Sequence, residues 1–138
     1  MSKKGVFTSF DPPGAVSSVA STINPSGAVV GNYDDSVEGT CFNFCHGYLL
    51  YHGTFTTIDF SGAVFTFVGG GNAEGDIVGA EVDTAGFVHS FLLKNGVFTS
   101  FDPPGAHLSS AAGINPPGVI VGTYVDAANV SHGYIRTH

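Results

Sequence analysis

Short apolar runs alternate along this chain with turns that are rich in glycine and proline. Val6–Phe10 and Val16–Ile23 mix β-branched, aromatic and small polar residues, and Ala28–Tyr33 and His46–Tyr51 are more apolar. These compositions and the period of two are typical of β-strands. Segments such as Asp-Pro-Pro-Gly interrupt the runs, because proline supplies no N–H and glycine relaxes the backbone. No window has the period of an amphipathic helix, so the pattern predicts an all-β protein.

The pattern is an internal repeat. The segment GVFTSFDPPGA, Gly5–Ala15, returns letter for letter at Gly96–Ala106, and a degenerate copy, GTFTTIDFSGA, lies at Gly53–Ala63. Self-similarity at this period indicates a repeat architecture. We therefore interpret residues 1–138 as a single repeat domain with units 5–52, 53–95 and 96–138.

Each unit is predicted to contain four short strands. Lys94-Asn95-Gly96 joins one HGY-type strand to the next copy of the opening strand, and Asn-Gly between two such runs is a strong hairpin signal. Val6–Phe10 is therefore an opening strand without an HGY-type strand before it. The HGY-type strand left to pair with it is the last one, His132–Arg136. Pairing the two would cover two exposed edges.

Three four-stranded units predict half of a six-bladed β-propeller. Propellers need about four to eight blades, so three blades require association, and two chains are the simplest closure. The predicted partner is therefore a second copy of this chain in a homodimer. A monomeric β-trefoil, which also has three units of four strands, is the alternative fold.

The recurring pattern FDPPGA, then GIN..G.IVG.Y.D, then HGY or HGF, resembles the HAF-type repeats of long bacterial extracellular arrays. The resemblance covers residues 5–138 and implies propeller-like β repeats and an extracellular location, without implying any chemistry. Unit two departs most from the pattern. Glu81 stands where the other units have Tyr33 and Tyr124, and Ser90 stands where they have glycine.

Composition narrows the classes of partner. Hydrophobic residues make up 43% of the chain and charged residues 11%, which favours a packed core over disorder. The net charge of −7, with four Lys and Arg, argues against nucleic acid and against an anionic membrane. No apolar run approaches the roughly 20 residues that span a bilayer. Met-Ser-Lys-Lys is not followed by the apolar core of a signal peptide, which leaves a cytoplasmic protein or a secreted one whose signal has been removed.

Three evenly spaced histidines, His46, His89 and His132, open the HGY-type strands. One interpretation is a set of imidazoles for metal binding or proton transfer. The other is a hydrogen bond from each histidine to a nearby aspartate or to turn backbone, repeated because the blade is repeated. Occurrence in every unit favours the structural role, since a catalytic group is needed once.

An aspartate closes the third strand of each unit, two residues beyond a tyrosine or glutamate and on the same face. A carboxylate beside an aromatic ring suits contact with a carbohydrate or small polar ligand, and it is also an ordinary strand-end turn residue. The candidate ligand-binding residues are Tyr33, Asp35, Asp83, Tyr124, Asp126, His46, His89 and His132.

Unit two supplies the candidates for catalysis. Glu81 and Asp83 form the one same-face carboxylate pair of this kind, and His89 completes a possible acid–base set. No Gly-x-Ser-x-Gly elbow and no nucleotide-binding glycine motif is present. The leading hypothesis is a non-catalytic ligand- or glycan-binding or interaction module that needs no cofactor. The alternative is an esterase, lactonase or glycosidase with its site at the mouth of the propeller channel.

The stretch SVEGTCFNFC, between Asp35 and His46, contains five residues more than the other units have there. It holds both cysteines, Cys41 and Cys45, directly before His46. The set Cys-x-x-x-Cys-His suits zinc or copper, yet structural zinc usually takes four ligands. A short disulfide in an oxidising compartment and two free thiols are the other interpretations. We predict no metal site, and these three residues are the candidates if one exists.

Overall fold

All regular structure is β-strand in the computed structural model, which describes residues 5–35 and 46–137. Eleven strands form three separate antiparallel sheets, and the described residues contain no helix. The predicted all-β class is therefore confirmed. None of the described segments is a helix long and apolar enough to cross a membrane.

Within each sheet, strands that follow one another in the chain are hydrogen-bonded neighbours. The first sheet consists of β1 (Ser17–Ile23), β2 (Val29–Asp34), β3 (His46–Tyr51) and β4 (Thr54–Ile58). The second consists of β5 (Phe65–Gly71), β6 (Ile77–Val82), β7 (Val88–Lys94) and β8 (Val97–Phe101). The third consists of β9 (Ala106–Ile114), β10 (Ile120–Asp126) and β11 (Ser131–Arg136).

Asparagine side chains organise the turns between the first two strands of each sheet. The side-chain oxygen of Asn24 accepts hydrogen bonds from the backbone N–H groups of Ser26 and Ala28. Such a bond lets a short side chain substitute for a backbone turn partner. Asn72 accepts the equivalent pair of bonds from Glu74 and Asp76, and Asn115 accepts one from Val119, since residue 117 is a proline without an N–H.

The predicted Asn-Gly hairpin is present between β7 and β8. Asn95 and Gly96 both have positive φ, 52° and 76°, as a tight hairpin turn with the twist of its strands requires. His52 and Gly53 adopt the same conformation between β3 and β4. The HGY-type strand of each of the first two units therefore pairs with the opening strand of the following unit, as the sequence predicted.

The sheets pack in chain order around two apolar clusters. Val30, Ile58, Val68, Ile77 and Phe91 form the cluster between the first and second sheets. A second cluster, which joins the second and third sheets, contains Val78, Ala111 and Ile120. Strand β5 contacts β1, β2 and β3, and β9 contacts β5, β6 and β7.

One glycine in the second strand of every sheet faces an aromatic ring on the third strand. Gly31 pairs with Tyr48, Gly79 with Phe91, and the third unit repeats the arrangement with Gly122 and Tyr134. A Cβ at Gly79 would overlap the backbone carbonyl of Phe67 and press on the ring of Phe91. Glycine recurs here because a backbone carbonyl of the neighbouring strand, together with the ring, leaves no room for a Cβ.

The prediction of four strands in every unit is wrong for unit one, which has three among the described residues, and the third sheet likewise has three. Val6–Phe10 forms no strand, and the side chains of Val6 and Phe7 are 92% and 99% exposed. The copies of this segment do form strands, β4 and β8, because each follows a hairpin that places it beside β3 or β7. The opening copy has no such hairpin before it within the described residues.

Replacing Gly79 with alanine should destabilise the protein, because the new methyl group meets rigid backbone and a buried ring. Overpacking of this kind costs about 1–3 kcal/mol of unfolding free energy. Gly113→Ala is the matched control, since its Cβ would lie 3.6 Å from the nearest atom, an ordinary contact with Val121. Urea unfolding of the two variants measures the difference, and equal unfolding free energies would contradict the packing described.

Candidate functional site

Each of the first two sheets carries an imidazole held between two carboxylates. Nδ1 of His46 lies 2.7 Å from Asp59, and its Nε2 lies 3.2 Å from Asp35. Nδ1 of His89 lies 2.7 Å from Asp102, with Nε2 2.8 Å from Asp83. We call these groups, with the related one at His132, the His–Asp clusters.

Strand ends bring each cluster together. Strand β2 ends at Asp34, directly before Asp35, while β3 begins at His46, and the antiparallel register places His46 opposite Tyr33. Asp59 directly follows the last residue of β4. One carboxylate precedes the histidine in the sequence and the other follows it. They meet because β2 and β4 flank β3, and both of these strands end where β3 begins.

The third cluster contains one carboxylate. Nε2 of His132 lies 2.9 Å from Asp126. Asp126 also accepts hydrogen bonds from the backbone N–H groups of Ala128 and Val130. Nδ1 of His132 has no hydrogen-bond partner among residues 5–35 and 46–137, although the corresponding nitrogen of His89 has Asp102.

Both ring nitrogens of His89 face an acceptor, so the protonated imidazolium, which donates from both, satisfies the geometry. The hydrogen bond to Asp83, followed by that to Asp102, raises the pKa of His89 above its usual 6.5. The hydrogen bond from His89 in turn lowers the pKa of Asp83 below 3.8. Each partner thus stabilises the charged form of the other.

Opposing effects act on His46. Its burial acts to lower the pKa, and the hydrogen bonds and charges of Asp59 and Asp35 outweigh that effect, so the pKa is raised above 6.5. In the third unit, the hydrogen bond from His132 is the main cause of a lowered pKa at Asp126. In each unit the histidine–aspartate contact therefore stabilises the charged form of at least one partner.

A tyrosine ring lies beside the histidine in the first and third units. The ring centres of Tyr33 and His46 are 5.1 Å apart, and those of Tyr124 and His132 are 4.8 Å apart. Tyr33 is buried, with its hydroxyl 2.9 Å from Thr57. These tyrosines therefore pack against the imidazoles.

Glu81 takes the tyrosine position in the second unit. It lies opposite His89 in the β6–β7 register, is only 4% exposed, and accepts a hydrogen bond of 3.3 Å from Ser100. Burial raises the pKa of Glu81, and the charge of His89 partly opposes that shift. Unit two therefore carries a buried carboxyl group where the other units have a tyrosine.

A chain of hydroxyl groups connects the second cluster to the third sheet. Ser90 Oγ lies 2.8 Å from both Ser109 Oγ and Tyr134 Oη, and Ser109 donates to Asp102 over 2.9 Å. Ser90 and Ser109 are completely buried. No hydrogen bond joins either serine to His89 among the described residues, so the arrangement is not the serine–histidine pair of a nucleophilic hydrolase.

The structure groups the sequence-predicted ligand-binding residues by unit. Tyr33, Asp35 and His46 meet in the first unit, Asp83 and His89 in the second, and Tyr124, Asp126 and His132 in the third. Sequence reasoning anticipated a hydrogen bond from each histidine to a nearby aspartate but did not identify Asp59 and Asp102 as partners, although their recurrence before the Pro-Pro-Gly-type turn is a usable signal.

The metal candidates Cys41 and Cys45 lie outside the described residues, and their companion His46 belongs to the first His–Asp cluster. Within residues 5–35 and 46–137, no group of three or more His, Cys, Asp or Glu side chains is arranged to hold a metal ion. The state of the two cysteines stays a prediction.

A groove between the first and second sheets was not predicted. It consists of two adjoining hollows, of about 220 and 430 Å³, that share Leu49, Glu74, Gly75 and Ile77. We call it the inter-sheet groove. Tyr51, which is 43% exposed, lines the smaller hollow. The residues of that hollow come from units one and two. The one local sequence signal for it is a tyrosine at the end of an apolar strand.

The stability of the protein should fall as pH rises above 6.5. The raised pKa of His89 means that its stabilisation is fully present below its unfolded value of 6.5 and is lost as pH rises through the folded pKa. His89→Gln, which cannot titrate at this position, should show a shallower decline in unfolding free energy with rising pH. The decline that remains in this variant is due to His46.

His107→Gln is the control, because His107 contacts the ring of Phe87 and belongs to no cluster. Urea unfolding at a series of pH values compares the three proteins. An identical pH dependence in wild type and His89→Gln would contradict the ion pairing described.

Comparison of the chain with protein-family models, with curated protein sequences and with solved structures found no match. The resemblance to HAF-type repeats therefore stays a prediction. What the protein does has to be inferred from its internal repeat, its His–Asp clusters and its inter-sheet groove.

Proposed function

We propose that this protein is a non-catalytic binding module that takes a carbohydrate or a similar small polar ligand in the inter-sheet groove. The observation that carries this proposal is the composition of the smaller hollow. Its lining combines the apolar side chains of Val30, Leu49 and Ile77 with the ring of Tyr51 and the carboxylate of Glu74. Small-molecule sites characteristically combine an apolar lining with a few placed polar groups.

The chemistry of a sugar suits these groups. A pyranose ring has an apolar face of C–H groups that packs on an exposed aromatic ring, and its hydroxyls need donors and acceptors. The Glu74 side chain makes no hydrogen bond or ion pair with any other described residue, so its carboxylate can accept from ligand hydroxyls. The hollow of about 220 Å³ is below the roughly 300–1,000 Å³ of drug-sized pockets, which favours one sugar ring.

The His–Asp clusters support a non-catalytic role. In the first two units both ring nitrogens already hydrogen-bond to aspartate, and the same arrangement recurs along the repeat. Catalysis needs a proton-accepting group with a free lone pair, placed once. The clusters instead tie strand ends together within each sheet.

The proposed scaffold is a six-bladed propeller made by two copies of the chain. Each described strand pairing lies within one sheet of consecutive strands, as in propeller blades, whereas a β-trefoil pairs strands of different units into one barrel. Contacts between β1 and β5, and between β5 and β9, bring the first strands of successive sheets together. First strands line the channel in a propeller, so this order supports the ring over the trefoil.

The second candidate function is hydrolysis at unit two, and Glu81 is the observation that favours it. A buried carboxyl group with a raised pKa beside a histidine is a common feature of acid–base sites. Glu81 is only 4% exposed, which limits access of a substrate to its oxygens. For that reason an esterase, lactonase or glycosidase ranks below the binding module.

A panel of monosaccharides, including glucose, galactose, mannose, xylose and N-acetylglucosamine, should contain at least one that raises the melting temperature of the wild-type protein. Tyr51→Ala should weaken its binding by about tenfold, roughly 1.4 kcal/mol, because the stacking face is lost. Tyr51→Phe keeps the ring and should bind nearly as wild type. Calorimetric titration measures the affinities, and equal binding by Tyr51→Ala would refute the groove as the site.

Ester, lactone and glycoside substrates should show no turnover if the binding proposal holds. The hydrolase alternative predicts turnover that Glu81→Gln, His89→Gln or Asp83→Asn abolishes. Glu74→Gln is the matched control, since Glu74 lies in the groove and outside the second His–Asp cluster. Turnover by wild type that is lost in a variant of the second His–Asp cluster or of Glu81 and kept in Glu74→Gln would favour the hydrolase over the binding module.

A further inference from the structure

We propose that residues 5–11 of one copy of this chain add to β11 of a second copy as the fourth strand of its third sheet, with Asp11 hydrogen-bonded to the second copy's His132. The exchange is reciprocal and produces a twofold dimer. This inference rests on the proposed ring and specifies its partner and its contacts. It is independent of any ligand in the inter-sheet groove.

The donated segment has the sequence of a strand that already pairs elsewhere. Residues 5–11 are identical to residues 96–102, which form β8 and the aspartate that follows it. Phe98 in β8 packs on Phe60 and Phe91, with ring centres 5.1 and 5.6 Å apart. The equivalent Phe7 is 99% exposed in its own chain. A strongly β-forming segment with an exposed phenylalanine is typical of strand addition to an open sheet edge.

The accepting edge is β11. Among the described residues its one strand neighbour is β10, so its other edge is unpaired. A hollow of about 560 Å³ lies beside that edge, and its lining includes Pro103 and Tyr134. These residues correspond in the repeat to Phe60 and Phe91, which hold Phe98 in the second sheet. The hollow is therefore in the right place to receive Phe7.

The register of the added strand follows from the second sheet. Leu92 pairs with Thr99, and Ser90 pairs with Phe101. Transferred by one unit, this register places Thr8 of the donor opposite Ile135 of the acceptor. Ile135 is 71% exposed on the unpaired edge.

The His–Asp clusters give an independent polar argument. Asp102, the repeat equivalent of Asp11, accepts from Ser109 with one oxygen and pairs with His89 through the other. Asp11 Oδ1 accepts from Ser18 over 2.7 Å, and its second oxygen has no partner among the described residues. Nδ1 of His132 has none there either. Strand addition joins these two groups and gives the third cluster the composition of the others.

The asparagine turns give a further argument for a second copy packed on the third sheet. The side-chain amide of Asn24 donates to the backbone carbonyl of Asn72 over 3.3 Å, and Asn72 donates to the carbonyl of Asn115 over 2.9 Å. Within the described residues the amide of Asn115 has no such acceptor. A first sheet from a second copy, packed on the third sheet, presents the carbonyl of Asn24 and continues the series.

The donor has to be another copy because of how the sheets pack. Residues 5–11 lie against the first sheet of their own chain, where Phe10 contacts Tyr48 and Phe55 and Asp11 bonds to Ser18. The second sheet separates the first sheet from the third, since the extensive contacts run from first to second and from second to third. A head-to-tail contact closes into a ring when the rotation between copies allows it, and two copies with six sheets meet that condition for a propeller.

Light scattering after size exclusion tests the proposal with two matched variants. Val6 and Phe7 are almost equally exposed in one chain, at 92% and 99%. The β8 equivalents differ, because Val97 stays 63% exposed while Phe98 packs in the core. Wild type and Val6→Asp should have twice the chain mass of 14.2 kDa, and Phe7→Asp should have that mass once.

A wild-type mass of 14.2 kDa, a mass above twice that value, or a Phe7→Asp variant that stays dimeric would each overturn the proposal. Phe7→Asp should fold like wild type, because Phe7 packs on nothing in its own chain. Sugar binding by a monomeric Phe7→Asp protein would leave the groove proposal standing by itself, so the two proposals can fail separately.

Cross-linking tests the register directly. With Cys41 and Cys45 changed to serine, the pair Thr8→Cys and Ile135→Cys should form a disulfide between two chains under mild oxidation, giving a covalent dimer on a non-reducing gel. Ser9→Cys with Ile135→Cys is the control, since those side chains would lie on opposite faces. Absence of the covalent dimer in the first pair, or equal cross-linking in both, would overturn the proposed pairing.

Discussion

The structure depends on backbone pairing between the HGY-type strand of one repeat and the opening strand of the next. Strands β3 and β4 pair across a repeat boundary, and so do β7 and β8. Each sheet is therefore complete only when the following unit supplies its outer strand, since an unpaired edge leaves N–H and C=O groups without partners. Successive units are bound to one another through hydrogen bonds as well as through apolar packing.

The same pairing builds the His–Asp clusters. Asp59 and Asp102 reach His46 and His89 because they directly follow β4 and β8. The imidazole then bridges carboxylates from two units of the repeat, which ties the strand pairing to an ion pair that depends on pH. His132 has one carboxylate, in the sheet that has three strands. The incomplete cluster and the incomplete sheet thus have one cause.

Catalysis and binding require different things of such a scaffold. In the first two sheets the histidine has both ring nitrogens hydrogen-bonded to aspartate, so the ion pair ties strand ends together and leaves no ring nitrogen without a partner. The inter-sheet groove is different, because its exposed ring and its carboxylate come from neighbouring units that have diverged. Tyr51 stands at the end of β3, and Glu74 is in the turn that Asn72 organises. The proposed binding site therefore lies at a junction of units, whereas the His–Asp clusters recur with the repeat.

The amino-acid sequence by itself determined the all-β class, the repeat, the hairpin at Asn95-Gly96 and the pairing of each HGY-type strand with the next opening strand. These features depend on local chemistry: side-chain alternation, missing N–H groups at proline, and positive φ at Asn-Gly. It also singled out the histidines and Glu81, because departures from a repeat are visible in one dimension. Only the tertiary structure decided that Asp59 and Asp102 bind histidine, that Val6–Phe10 stays unpaired, and that a groove opens beside Tyr51. Contacts of that kind depend on how sheets pack and where their edges face, and no local pattern encodes those distances.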